Sequence, residues 1–88
     1  MDDQEIRLAI VSGLAQARAI LFRDAEITDQ FLAAEADMRI EDMQMDSLSI
    51  MELCISIEVD TGASILPEEM VQIESLEQLV GAIKGKLP

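Results

Sequence analysis

Histidine, tryptophan and tyrosine are absent from this 88-residue chain. Without histidine there is no Ser-His-Asp triad, no imidazole acid–base pair and no histidine metal site. Two phenylalanines, Phe22 and Phe31, are the whole aromatic complement, too few for a base-stacking platform. The single cysteine, Cys54, excludes an internal disulfide and fits a reducing, cytoplasmic setting. Basic residues number 6 against 18 acidic ones, a net charge of -12. That balance disfavours nucleic acid and anionic membrane surfaces, and a basic protein partner is its natural complement. No uninterrupted apolar run approaches the length of a membrane span. Met1-Asp2-Asp3 lacks the basic, apolar opening of a signal peptide.

What is present is a helical pattern. Half of the residues are hydrophobic, enough for a core, and the length suits one domain, residues 1–88. Ile6, Ile10, Leu14, Ala17 and Leu21 recur at helical spacing, which predicts a first helix from about Glu5 to Leu21. Gly13 weakens its middle without forbidding it. Asp2, Asp3 and Glu5 at its start, and Arg18 and Arg23 near its end, suit the helix dipole.

From Asp24 to Met45 the pattern fades into scattered anchors: Ile27, Phe31, Leu32, Met38, Ile40 and Met43. A connection this long should be tied over the core, with a short helical turn near Asp29 to Ala34. A second strong helix runs Ser47 to Asp60, with Asp46 as N-cap and Gly62 as the left-handed stop. Pro67 opens a short helix that ends near Gln72, with Glu68 and Glu69 in its first turn. Ser75 and Gln78 form an S-x-x-Q capping box ahead of Leu76, Leu79, Val80, Ile83 and Leu87. The expected fold is all-α: a small four-helix bundle, three main helices plus a short third one, with a long first loop.

On a wheel of roughly 100° per residue, the Ser47–Asp60 helix carries three faces. Ser49, Glu52, Ser56 and Asp60 form a polar one. Ile50, Leu53, Cys54 and Ile57 form one apolar stripe, and Leu48, Met51, Ile55 and Val59 form another. One stripe suffices to face a core. The second is either covered by the long connection or left as a docking surface. Between Ile40 and Ile83 there are ten acidic residues and no Lys or Arg. This reads either as a solvated acidic surface or as the footprint of a basic partner. Met43, Met45, Met51 and Met70 serve either as core filler or as a soft, adaptable surface.

Ser47 stands at the first turn of this helix, where the dipole favours negative charge and backbone N–H groups are free. Asp46-Ser47-Leu48 at the start of a helix in a small acidic domain resembles the acyl carrier and peptidyl carrier protein family. The likeness extends over about Ile6 to Leu87. It takes in Ser47-Leu48-x-x-Met51-Glu52-Leu53, Ile65-Leu66-Pro67-Glu68-Glu69 and Ser75-Leu76-Glu77-Gln78-Leu79. The resemblance implies 4′-phosphopantetheine attached to Ser47 as a phosphodiester, with Asp46 and Leu48 flanking it. It also implies that Leu53 and Ile57 face the core, and that Met45, Leu48, Met51, Glu52, Ile55 and Glu58 meet partners.

Those partners would be a phosphopantetheinyl transferase, an acyl- or aminoacyl-loading enzyme and a downstream transferase. The implied protein is a monomeric thioester carrier with no chemistry of its own. The family's L-G-x before D-S-L is replaced by Met43-Gln44-Met45, and the helix is less acidic in its later part than a fatty-acid carrier's. Both departures point to a specialised pathway. The alternative is an unmodified acidic adaptor on the same fold.

Other motifs carry less. Asp60-Thr61-Gly62 spells an aspartic-protease tripeptide but reads here as a helix end with a glycine cap. The acidic run Asp37 to Asp46 lacks the alternating ligands and the glycine of a calcium loop. Cys54, inside an apolar stripe, reads as a small core residue.

Overall fold

The computed structural model describes residues 1–17, 25–43 and 45–87. Helix α1 spans Asp3–Gln16, α2 Ala25–Leu32, α3 Ser47–Thr61, α4 Pro67–Met70 and α5 Leu76–Lys86, with a 3-10 turn at Ile40–Met43. The all-α bundle expected from the periodicity is the observed fold, and α1, α3 and α5 are its main helices. Among the described residues no helix is long and apolar enough to cross a membrane.

Helix α1 starts at Asp3, two residues before the expected Glu5, because Asp2 caps it. The Asp2 carboxylate accepts from the Glu5 N–H at 2.8 Å, and Glu5 reaches back to the Asp2 N–H. Ala17 is its C-cap. The expected continuation to Leu21, with Arg18 and Arg23, lies outside the described residues. Ile6, Ile10 and Leu14 are fully buried and meet Leu53 and Ile57 of α3 and Leu76, Leu79 and Ile83 of α5 in one core. Each such side chain contributes roughly 1.5–3 kcal/mol on burial.

Gly13 is more than a tolerated weakness. A Cβ there would sit 2.7 Å from Leu53 Cδ1 and 3.3 Å from Ser56 Cβ and Oγ, so its bare backbone lets α1 and α3 approach closely. Ser56, on the polar face of the wheel, is buried there against α1 while Glu52 and Asp60 of the same face are exposed. Its small side chain fits the contact that Gly13 opens.

The long first connection is tied down, as its length required. Helix α2 covers two turns, starting before the turn expected at Asp29–Ala34, and buries Phe31. It ends with Ala34 in the left-handed region at φ 60°, while the Glu35 N–H donates to the Gln30 carbonyl at 2.9 Å. Beyond it, Ile40 N–H donates to the Glu74 carbonyl and Leu76 N–H to the Met38 carbonyl, each at 2.9 Å. Asp37 Oδ1 accepts from the Glu77 N–H at 3.0 Å, adding a second cap to α5 beside Ser75. Gln78 takes the Glu74 N–H rather than that of Ser75, so the expected box closes one residue earlier.

Arg7, unremarked in the sequence pattern, is a buried hub of this packing. Its guanidinium donates to both Glu77 carboxylate oxygens (2.6 and 2.7 Å), to Asp3 (2.6 Å) and to the Phe31 carbonyl (3.0 Å). It also lies 5.0 Å from the Phe31 ring centre. Bonding to Glu77 keeps it protonated well beyond its ordinary range. Lys84 first, then Arg7, hold the Asp3 carboxyl below its usual value.

Candidate functional site

Helix α3 begins where the sequence places it. Asp46 has extended backbone angles (φ -83°, ψ -179°), and its carboxylate accepts from the Ser49 N–H at 2.8 Å. The Ile50 N–H closes the first turn on the Asp46 carbonyl at 3.0 Å. Hydrogen bonds from the Ser49 backbone and then its hydroxyl hold the Asp46 carboxyl below its ordinary range. At the other end Gly62 adopts φ 82° and donates to the Glu58 carbonyl, as a left-handed stop should. Thr61 Oγ1 donates to the Ile57 carbonyl and accepts from the Ala63 N–H. The Asp-Thr-Gly sequence is thus a helix terminus.

Ser47 is the first residue of α3 and is exposed, as are Asp46 and Leu48 on either side. Its hydroxyl has no hydrogen-bond partner among the described residues. The free backbone donors expected here are partly taken, since the Asp46 carboxylate already engages the first turn. A phosphodiester on Ser47 would therefore project outward into solvent. The position suits a covalent group with an unhindered hydroxyl and room beyond it.

The two apolar stripes of α3 have opposite fates. Leu53, Cys54 and Ile57 are buried and Ile50 packs against the core. Leu48, Met51, Ile55 and Val59 are exposed by 63, 48, 58 and 77 %. The described part of the long connection does not cover them, so the second stripe is an exposed surface that starts beside Ser47. Glu52 and Glu58 are exposed on the same helix. Val59 belongs to this surface although it was not among the expected contacts, and Leu66 and Val71 add exposed apolar area on α4 and its flanks.

Met45 is half-buried instead. With Ile50, Met70 and Ile73 it lines a cleft of about 390 Å³ whose rim carries Arg39, Glu41 and Glu74. The four methionines divide: Met43 and Met70 are core, Met45 lines the cleft and Met51 faces solvent. They make no continuous soft surface. A smaller cleft of about 180 Å³ lies between Met51, Ile55 and Glu58 of α3 and Ile65, Leu66 and Pro67 ahead of α4. Burial raises the Cys54 thiol above its ordinary pKa, as a core residue requires. Among the described residues no cluster of three or more acidic or cysteine side chains could hold a metal ion. Gln44, the departure ahead of the Asp-Ser-Leu tripeptide, lies outside the described residues.

The family model for the phosphopantetheine attachment site matches residues 18–83, most of the chain. The chain belongs to that family. No curated protein and no solved structure matches it. This phosphopantetheine attachment domain is of the acyl and peptidyl carrier type, and its family bears 4′-phosphopantetheine covalently. Domains of the family carry substrates rather than transform them, and they work through partner enzymes such as phosphopantetheinyl transferases.

Proposed function

We propose that Ser47 is the attachment residue and that the protein, a single carrier domain, holds acyl or aminoacyl groups for a specialised biosynthetic pathway in the cytoplasm. The observation that carries this reading is the exposed Ser47 at the head of α3, its hydroxyl without a hydrogen-bond partner among the described residues, beside an exposed apolar stripe. In the loading step the Ser47 oxygen attacks the phosphorus of coenzyme A that bears the pantetheine. A new P–O bond forms, the pyrophosphate P–O bond breaks, adenosine 3′,5′-bisphosphate leaves, and the serine proton passes to a base of the transferase. The attached arm supplies a terminal thiol that carries cargo as a thioester.

The chain's own residues position and present. Asp46 fixes the first turn of α3 and so the direction of Ser47. Leu48, Met51 and Ile55 offer apolar contact to partner enzymes, and Glu52 and Glu58 flank it with charge that favours a basic face. The replacement of the family's glycine by Gln44, and the modest acidity of α3, support a dedicated rather than a general partner set.

The test is intact-protein mass before and after incubation with coenzyme A, magnesium and a broad-specificity phosphopantetheinyl transferase. The expected result is a gain of one phosphopantetheinyl group. It is absent in Ser47→Ala, whose circular dichroism is unchanged. A gain in Ser47→Ala would move the attachment elsewhere. If neither the treated protein nor protein purified from its native cell is modified, the chain acts as an unmodified acidic adaptor.

A further inference from the structure

The cleft of about 390 Å³ carries charge that attachment alone does not use. Met45, two residues ahead of Ser47, and Ile50, three residues after it, both line it. Ile50 stands only about 4.5 Å along the α3 axis from Ser47. None of Leu48, Met51 and Ile55 belongs to the lining, so the cleft is separate from the exposed stripe. Its two walls are joined, because the Ile40 N–H donates to the Glu74 carbonyl at 2.9 Å. The Glu74 backbone is held a second time, its N–H donating to Gln78 Oε1 at 2.9 Å. A side chain on so fixed a backbone needs little further ordering when a ligand arrives.

The floor is apolar and the rim is charged. Arg39 and Glu41 pair on the rim at 2.7 Å and cancel each other. The Glu74 carboxylate is exposed and has no hydrogen-bond or ion-pair partner among the described residues. Arg39 is the one cation among the described residues that line the cleft, so the rim has a net charge of one negative unit.

That charge sorts the acyl groups a thioester can present. A plain aliphatic acyl group is neutral; it suits the floor and gains nothing from Glu74. A dicarboxylic acid bound through one end keeps a carboxylate, which the rim repels. An amino acid bound through its carboxyl keeps only its ammonium, a single positive charge opposite a single negative one. We propose that Glu74 is a specificity-determining residue that receives the ammonium of an aminoacyl group with an apolar side chain, seated in the cleft beside Ser47. This rests on Ser47 as the attachment residue and narrows its cargo to the aminoacyl class.

The test loads Ser47 from amide-linked, hydrolysis-resistant coenzyme A analogues bearing three groups of similar size. They are leucyl, its neutral counterpart 4-methylpentanoyl, and the anionic glutaryl. Intact mass reports loading. Amide shifts of ¹⁵N-labelled protein, measured against the unloaded arm, report seating. Leucyl should shift Ile40, Ile50 and Glu74 about threefold more than 4-methylpentanoyl does, the scale of an exposed ion pair. Glutaryl should shift them least. Glu74→Gln leaves both backbone hydrogen bonds in place and should abolish the leucyl preference. Glu41→Gln frees Arg39 and should let glutaryl shift the same amides. Equal shifts from leucyl and 4-methylpentanoyl in the parent, a leucyl preference that survives Glu74→Gln, or shifts centred on other residues would overturn the proposal. A chain that gains no mass would lose the attachment reading as well. One that gains mass without a leucyl preference would lose this proposal alone.

Discussion

The two apolar stripes of α3 have nearly the same composition and opposite surroundings. Leu53, Cys54 and Ile57 are enclosed by α1, α5 and the buried residues around them. Leu48, Met51, Ile55 and Val59 lie open to solvent on the other side. A helix held by one stripe leaves the other free for contact. Under the proposed function, stability and partner contact can therefore be altered separately, by substitutions one or two residues apart.

A matched pair of substitutions separates the two stripes most clearly. Leu53→Ala leaves a cavity in a fully buried site and should cost about 3–4 kcal/mol in urea unfolding. Ile55→Ala, two positions on and exposed, should stay within about 0.5 kcal/mol. Equal losses would mean that the second stripe is covered in solution.

Gly13→Ala tests the buried side more gently. Alanine gains up to about 1 kcal/mol in helix propensity. Its Cβ, however, would meet Leu53 Cδ1 at 2.7 Å and Ser56 at 3.3 Å, so the fully buried Leu53 side chain must turn aside. The balance is a net loss of roughly 1–2 kcal/mol, read as a lower urea midpoint.

The smallest effect concerns the cap that sets Ser47. The Asp46 carboxyl is held below its ordinary pKa by Ser49, so its stabilisation is fully present above the unfolded value, near 3.8. It is lost as pH falls through the lower folded value. Asp46→Asn keeps a capping oxygen and should flatten this part of the acid dependence of thermal unfolding. Asp46→Ala should lower the melting temperature by a few degrees at neutral pH and slow loading of Ser47.

Legibility followed local chemistry. The ends of α3 could be read because Asp46 and Gly62 are residues whose preferences are strong at helix termini. Pro67 and Ser75 marked α4 and α5 in the same way. Helix α2 showed only as a short turn, and its bounds lacked signals: Ala34 takes the left-handed position that glycine usually fills. The faces of α3 needed more than its own sequence. A wheel separates two stripes, but which one is buried depends on where α1 lies, and that follows from the close contact of Gly13 with Ser56. Arg7 escaped notice because its partners, Phe31 and Glu77, come from distant parts of the chain.

The paired hydrogen bonds between Met38–Ile40 and Glu74–Leu76 have a mechanical consequence. They fasten the chain just ahead of α3 to the chain just after α4, like a buckle on a loop that contains both helices. The head of α3, where Ser47 stands, is anchored by this buckle as well as by its own packing. With a group attached at Ser47, as proposed, a pull on it would be shared with α5 as well as with the packing of α3.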